Sequence, residues 1–202
     1  KVDDICDHML YFLENHDEQR IASDFFAGNP WKGVPGMIVS ALLQQNPVMV
    51  YAGQEFGERG MDKEGFSGQD GRSTIFDYWT SDTVYKGFFN RDALTTDEKK
   101  LSLIYQGFLR FCNREKAVRE GLTFDLMYVN QQSHQFNPHK QFVFLRKADD
   151  EVLLVVANFD QERVQINVTI PAHAFDFLGI PEQEVEMTDL LSGFTKVVDL
   201  KR

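Results

Sequence analysis

The residues of this chain whose types and spacing could do chemistry are Asn15-His16-Asp17, a carboxamide, an imidazole and a carboxylate in succession. They follow Leu10-Tyr11-Phe12-Leu13, and the chain turns from apolar to polar at once, at Glu14. A continuous apolar run of that length is what a strand buried on both faces looks like, as in a parallel sheet covered by helices. Polar groups at the C-terminal end of such a strand stand where barrels and open α/β sheets place their active sites. Asn15, His16 and Asp17 are therefore candidates for a site that faces substrate. The alternative for the same stretch is an ordinary solvated loop carrying a helix cap.

A site of that kind needs a second strand beside the first. After the loop Gly28 to Gly33, the segment Val34 to Gln45 reads as a helix, with Pro35 suited to a first helical position and Asn46-Pro47 as its stop. Val34, Ile38, Ala41 and Leu42 mark one face, and so few polar residues interrupt the others that the helix is expected to be buried over most of its circumference. Val48-Met49-Val50-Tyr51 is a second short apolar run, ending in Ala52-Gly53-Gln54-Glu55. Strand, helix, strand is a βαβ crossover. The expectation is part of a parallel sheet with both strands ending in polar loops.

Phe12-Leu13-Glu14-Asn15-His16-Asp17 resembles the asparagine-histidine-aspartate motif that ends the seventh barrel strand in α-amylase family glycoside hydrolases (glycoside hydrolase family 13). Val50 to Gly57 resembles the same family's eighth strand, and Gly71 to Trp79 is similar to a segment in the loop after it. The three stretches come in the family's order and at family-like spacing, over roughly residues 10 to 80. The resemblance implies the last part of a (β/α)8 TIM barrel, strands 7 and 8 with their helices, over residues 1–119. An antiparallel β-sandwich over residues 120–202 would follow. The parent would be a retaining α-glucan hydrolase acting on starch-type α-glucosidic bonds, with an α-glucan oligosaccharide or polysaccharide as substrate.

Cleavage of a glycosidic bond passes through an oxocarbenium-like state and normally takes two flanking carboxyl groups. By the resemblance Asp17 would be a third acid, stabilising the distorted sugar and its developing positive charge from a partly dry pocket. His16 would hydrogen-bond the sugar hydroxyls, Asn15 would orient its neighbours, and Arg20 would pair with a nearby acid. The family's nucleophile and general acid lie on the fourth and fifth strands, and this chain holds neither. A (β/α)8 barrel typically needs about 250 residues. The chain, which opens at Lys1 in what reads as the tail of a helix (Val2 to Met9), is expected to be a piece of a longer protein and inactive alone. Two readings compete: a non-catalytic structural or interaction module derived from the same fold, and a carbohydrate-binding module centred on the β domain. The second would want two or three exposed aromatics in a row, and Phe124, Tyr128, Phe136 and Phe142 do not declare themselves exposed.

Residues 56 to 93 read as one long connection, rich in glycine but carrying too many aromatics for a disordered linker. Tyr78 and Trp79 in it could stack on a sugar ring, whose apolar face suits an aromatic surface, or anchor the loop to the scaffold. Its acids (Glu55, Glu58, Asp62, Glu64, Asp70, Asp77) match no EF-hand-like spacing, so the sequence supports no cofactor and no metal site. A structural calcium in the parent is left open. Thr95-Thr96-Asp97-Glu98 is a capping box, and Leu101, Ile104, Tyr105, Phe108, Leu109 and Cys112 make the amphipathic stripe of the helix it starts.

From Leu122 the period becomes two. Strands are expected at Leu122 to Tyr128, Phe142 to Arg146, Val152 to Asn158, Val164 to Ile170, Val185 to Leu191 and Thr195 to Leu200, with turn chemistry between them. His134, His139 and His173 read as scattered loop or surface histidines, and Cys6 and Cys112 as buried free thiols. The net charge of −10 argues against a nucleic-acid partner and an anionic membrane surface, and is compatible with a neutral substrate. No run reaches the eighteen apolar residues of a membrane span, and the compartment stays undecided. Strands cut from their neighbours should expose apolar surface, so self-association through the truncated barrel is expected.

Overall fold

The computed structural model describes residues 5–60, 70–73, 75 and 81–202. β1 (Tyr11–Phe12) and β2 (Val48–Met49) pair in parallel, Tyr11 opposite Val48 and Phe12 opposite Met49. Between them runs α1 (Gly33–Leu42), so the βαβ unit is present, with strands shorter than the apolar runs that announce them. Pro35 is the third residue of α1 rather than the first, still within the turn whose N–H groups have no partner in the helix. A 3-10 turn at Pro30–Lys32 leads into α1, capped by the Asn29 side chain, which accepts the Trp31 N–H at 3.0 Å.

The strands are not covered on both faces. Leu13 faces α1 and packs with Met37 and Ala41. Leu10 and Phe12 alternate to the other side and are exposed there, Phe12 by 41%. The apolar run was therefore a poor guide to burial on the second face, which no described element fills. Ahead of β1 the described residues hold one 3-10 turn, Cys6–His8, in place of the expected helix tail. Asn46, read in the sequence only as a stop, is buried and donates through Nδ2 to the carbonyls of Cys6 and Met9.

The long connection contains a helix the sequence reading missed, α2 (Asp82–Phe89), followed by a 3-10 turn at Arg91–Ala93. Gly87 disguised it. A side chain at that position would strike the Phe56 ring at 2.3 Å, so the glycine is there to let α2 lie against Phe56. α3 (Thr96–Arg114) opens with the expected capping box: Thr95 Oγ1 accepts the Glu98 N–H at 3.2 Å, and Glu98 Oε2 accepts the Thr95 N–H at 2.6 Å. Leu101 and Tyr105 from its stripe join Met37 and Ala41 of α1 in one core cluster. Cys112 packs beside it as a free thiol, its pKa pushed up to about 11 by burial. α4 (Lys116–Glu120) follows, its Ala117 N–H accepted by Glu151 at 2.9 Å.

β3 (Leu122–Asp125), β4 (Gln141–Ala148) and β5 (Glu151–Asn158) form an antiparallel sheet in the order β3-β4-β5. Phe144 and Val155 face Leu42 and Val118, and so join the sheet to the βαβ part. Val143 and Leu145 face the other way, into a second core with Leu126, Phe136, Ala174, Phe175 and Leu178. The strand expected to reach Tyr128 stops at Asp125, whose carboxylate accepts the Met127 N–H at 2.7 Å and starts α5 (Met127–Asn130). A further helix, α6 (Ala172–Leu178), ends at Gly179 with φ 62°. β6 (Gln183–Thr188) and β7 (Thr195–Leu200) make a separate antiparallel hairpin.

Of the six strands expected, Val164 to Ile170 has no ladder. The segment is extended, and Ile166, Val168 and Ile170 pack inward on the Val143–Leu145 face as alternation requires. Its backbone is held by one buried side chain. Asn130 Oδ1 accepts the Thr169 N–H at 2.8 Å, and Asn130 Nδ2 donates to the carbonyls of Thr169 (3.0 Å) and Leu126 (2.7 Å). The β part is thus a sheet covered on its second face by α6 and an extended segment, rather than two regular sheets.

Arg146 on β4 is fully buried and touches no carboxylate. Its guanidinium donates to the carbonyls of Leu42 (3.1 Å), Ala117 (3.1 Å), Val118 (2.8 Å) and Gly121 (2.9 Å). These are carbonyls at the ends of α1 and α4, where a cation meets the negative end of the helix dipole. Arg146→Lys keeps the charge but not the fork, leaving carbonyls unanswered in the dark. Thermal unfolding should show a midpoint lower by roughly 4–8 °C, about 2 kcal/mol. An unchanged midpoint would mean that one ammonium replaces the whole set.

Candidate substrate site at the strand ends

Asn15, His16 and Asp17 follow β1 directly. The Asn15 carboxamide oxygen accepts the N–H groups of Asp17 at 2.8 Å and Glu18 at 2.9 Å, so it sets the turn that presents the next two side chains. His16 Nε2 lies 3.5 Å from Asp17 Oδ2. The side chains are 52% and 74% exposed, so Asp17 stands in water and not in the partly dry pocket expected for it. At that exposure the solvent damps its field several-fold relative to an enclosed site. Asp17, Glu18 and Gln19 line an open depression of about 310 Å³ with Asp70 and Arg72. Arg72 donates to Asp70 Oδ2 through Nε at 2.8 Å and Nη2 at 2.5 Å. Tyr78 and Trp79 lie outside the described residues.

Flanking this exposed triplet in the chain is a buried charged cluster that the sequence reading did not assemble. Arg20, read only as pairing with a nearby acid, is shut off from solvent. Its Nε sits 3.4 Å from Glu14 Oε2, its Nη2 donates to the Ala52 carbonyl at 2.7 Å, and its guanidinium lies 4.7 Å above the Tyr51 ring. Its own N–H donates to the Gly71 carbonyl at 2.9 Å, and a β-bridge pairs Gln19 with Arg72. One residue thus joins the loop after β1, the loop after β2 and the segment around residue 71. Glu14 is also buried, and its other oxygen accepts the Ile21 N–H at 2.6 Å. The signal was a glutamate set directly against the apolar run, with an arginine six residues on.

The second loop is framework more than reagent. Gly53 has φ 91°, and a Cβ there would come within 2.8 Å of Glu58 and 3.0 Å of Arg20 Nη2, so only glycine lets the loop close over the guanidinium. Gln54 is buried and donates to the Tyr105 hydroxyl at 3.0 Å, tying the loop to α3. Burial lifts the Tyr105 hydroxyl to about 12. Glu55 accepts the Gly53 N–H at 3.1 Å, and Glu58 is buried with the Gly60 N–H on one oxygen at 2.9 Å. Three glutamates thus gather round one arginine. Burial raises the Glu14 pKa above its usual value, against the opposing pull of Arg20 and the Ile21 N–H. Burial raises that of Glu55 as well. Among the described residues no three His, Cys, Asp or Glu side chains are grouped as metal ligands.

No protein-family model and no curated protein matches the chain. Among solved structures it is similar to a maltogenic α-amylase from Thermotoga neapolitana, at TM-score 0.58 and 15% identity over 96% of this chain and 37% of that one. It is also similar to the isomaltulose synthase of Erwinia rhapontici, at TM-score 0.50 and 18% identity over 76% of this chain and 34% of that one. The chain therefore spans little more than a third of the first of these and about a third of the second. At such identities the likeness is one of fold: the chain folds as part of an α-amylase-family enzyme does.

A glutamate whose pKa is raised in the folded state favours folding below its unfolded value, and that contribution is lost as pH rises through the folded value. Glu55→Gln keeps an oxygen for the Gly53 N–H and removes the charge. Its unfolding midpoint should exceed that of the parent chain at pH 7, and the gain should vanish below about pH 4.5, the ordinary glutamate value. A gain that persists at pH 3 would trace to something other than ionisation.

Proposed function

We propose that this chain is part of a retaining α-amylase-like glycoside hydrolase acting on starch-type α-glucosidic bonds. Residues 1–119 are the last part of its barrel and 120–202 its C-terminal β domain. The observation that carries this reading is the parallel pairing of β1 and β2, with Asn15-His16-Asp17 and Ala52-Gly53-Gln54-Glu55 at the same ends of the two strands and joined through Arg20. The carboxyl ends of parallel strands are where such folds bind substrate.

Asp17 is the acid that faces the positive charge developing at the anomeric carbon. His16 beside it hydrogen-bonds the sugar hydroxyls, with the turn fixed by Asn15, and Tyr78 and Trp79 supply a stacking surface. The nucleophile and general acid belong to barrel strands other than these two. Those strands also supply the walls that exclude water, which turns an exposed carboxylate into an effective electrostatic partner.

In the enzyme that carries this chain, Asp17→Asn should lower kcat by roughly 10² or more. The unfolding midpoint should hardly move, because the side chain makes no buried contact. A kcat near that of the unmodified enzyme would return Asp17 to the status of a loop residue. The 202-residue chain alone should release no reducing sugar from starch or maltooligosaccharides above a blank. It should also self-associate through the open face of β1, where Leu10 and Phe12 are exposed. Light scattering that gives the mass of a single chain at all concentrations would refute that part.

A further inference from the structure

Four aromatic rings meet on the surface of the β part, far along the chain from the strand-end site and sharing no residue with it. α6 turns Ala174, Phe175 and Leu178 into the core, which leaves His173 and Phe177, one turn apart, on its outer side. Phe124 on β3 sits against both, at ring-centroid distances of 5.2 Å to His173 and 5.8 Å to Phe177. Tyr128 on α5 completes the group, 6.4 Å from Phe124 and 5.8 Å from His173. Phe177 is 58% exposed and Tyr128 49%. The Tyr128 hydroxyl lies 2.5 Å from His173 Nε2, so the two polar edges are fixed against each other before anything binds.

We infer that this shelf binds an α-glucan chain, as a second carbohydrate site beside the strand-end site. Tyr128 and Phe177, exposed and both seated against Phe124, leave an apolar surface in water without an internal use. Their company selects the ligand: a pyranose offers C–H groups on its faces, which suit the rings, and hydroxyls on its rim, which suit the tyrosine hydroxyl and the imidazole. Among the described residues no guanidinium or ammonium lies over these rings, and the chain carries a net charge of −10, so an anionic ligand is disfavoured. The choice of an α-glucan rests on the proposed function, since that enzyme would take such a polymer as its substrate.

The test is to titrate the 202-residue chain with maltoheptaose and follow the His173 and tyrosine ring signals by NMR, with calorimetry in parallel. Saturable shifts at His173 and Tyr128 are expected. Tyr128→Ala and Phe177→Ala should each weaken binding about tenfold or more, with unfolding midpoints close to the parent chain because both rings are largely exposed. The inference is overturned by no binding, by equal binding of the β-linked cellohexaose, or by affinity unchanged in both variants. Binding lost in Asp17→Asn but kept in the ring variants also overturns it, as does a shift of the ring signals with protein concentration alone, which would mark a contact between two copies. The kcat measurement on Asp17 is independent of all these. A loss of kcat there with no binding here sinks only the shelf, and shelf binding with unaltered kcat sinks only the strand-end reading.

Discussion

The Arg146 guanidinium, shut away from solvent with no carboxylate beside it, donates to the backbone of Leu42, Ala117, Val118 and Gly121. Leu42 ends α1, and the other three belong to α4 and the residue that follows it, while Arg146 itself sits on the central strand of the β sheet. One side chain therefore answers helix-end carbonyls from two elements that otherwise have no reason to stop at the same place. Phe144 and Val155 pack around it against Leu42 and Val118, and the Thr123 hydroxyl donates to the Leu43 carbonyl at 2.6 Å. Burial alone would push Arg146 toward losing its proton. The converging carbonyl dipoles oppose that, and they make the charge depend on the two helices as much as they depend on it.

Arg20 solves the same problem at the other end of the βαβ unit with a different set of partners. Its guanidinium has one carboxylate close by in Glu14, two backbone carbonyls at hydrogen-bond distance in Ala52 and Glu58, and one aromatic face in Tyr51. Burial raises the Glu14 pKa most, and the nearby charges of Glu58 and Glu55 add to it. A cluster with more acid than base is less self-sufficient than the Arg146 cluster. Its hydrogen-bond ledger among the described residues is incomplete too, since Glu14 Oε2, Arg20 Nη1 and Glu58 Oε2 have no hydrogen-bond partner there. The exposed Asn15-His16-Asp17 turn, set by the Asn15 carboxamide, runs between Glu14 and Arg20, so both of its ends are tied to this buried pair.

What could be read from the sequence was what repeats locally. The parallel pair, α1, the Thr95–Glu98 cap and the alternating strands β4 and β5 all declare themselves through spacing. Arg146 was illegible, because a side chain whose partners are backbone carbonyls leaves no complementary residue to find, while Arg20 was read as pairing with an acid but not as the buried centre of its cluster. α6 was lost for another reason. Pro171 and Gly179 bracket it as they should, but the strand expected at Val164 to Ile170 stopped just before it, and seven residues between two turns are too few to show a helical period. The candidate residues Asn15, His16 and Asp17 were found by type and position, and their exposure was not, since solvent access depends on elements that share no sequence with them.

The attachment of the extended segment at 164–170 has a consequence for how uniquely the β part is put together. Its inward pattern, Ile166, Val168 and Ile170, repeats every two residues, so a slide of the backbone by two positions would present nearly the same aliphatic face to Val143 and Leu145. Hydrophobic packing cannot tell those alignments apart. Asn130 can, because its carboxamide meets both the donor and the acceptor of one peptide position, at Thr169, as a neighbouring strand would. A single buried amide thereby acts as the key to an otherwise degenerate lock: it adds little to the adhesion of the segment and selects one alignment among near-equals.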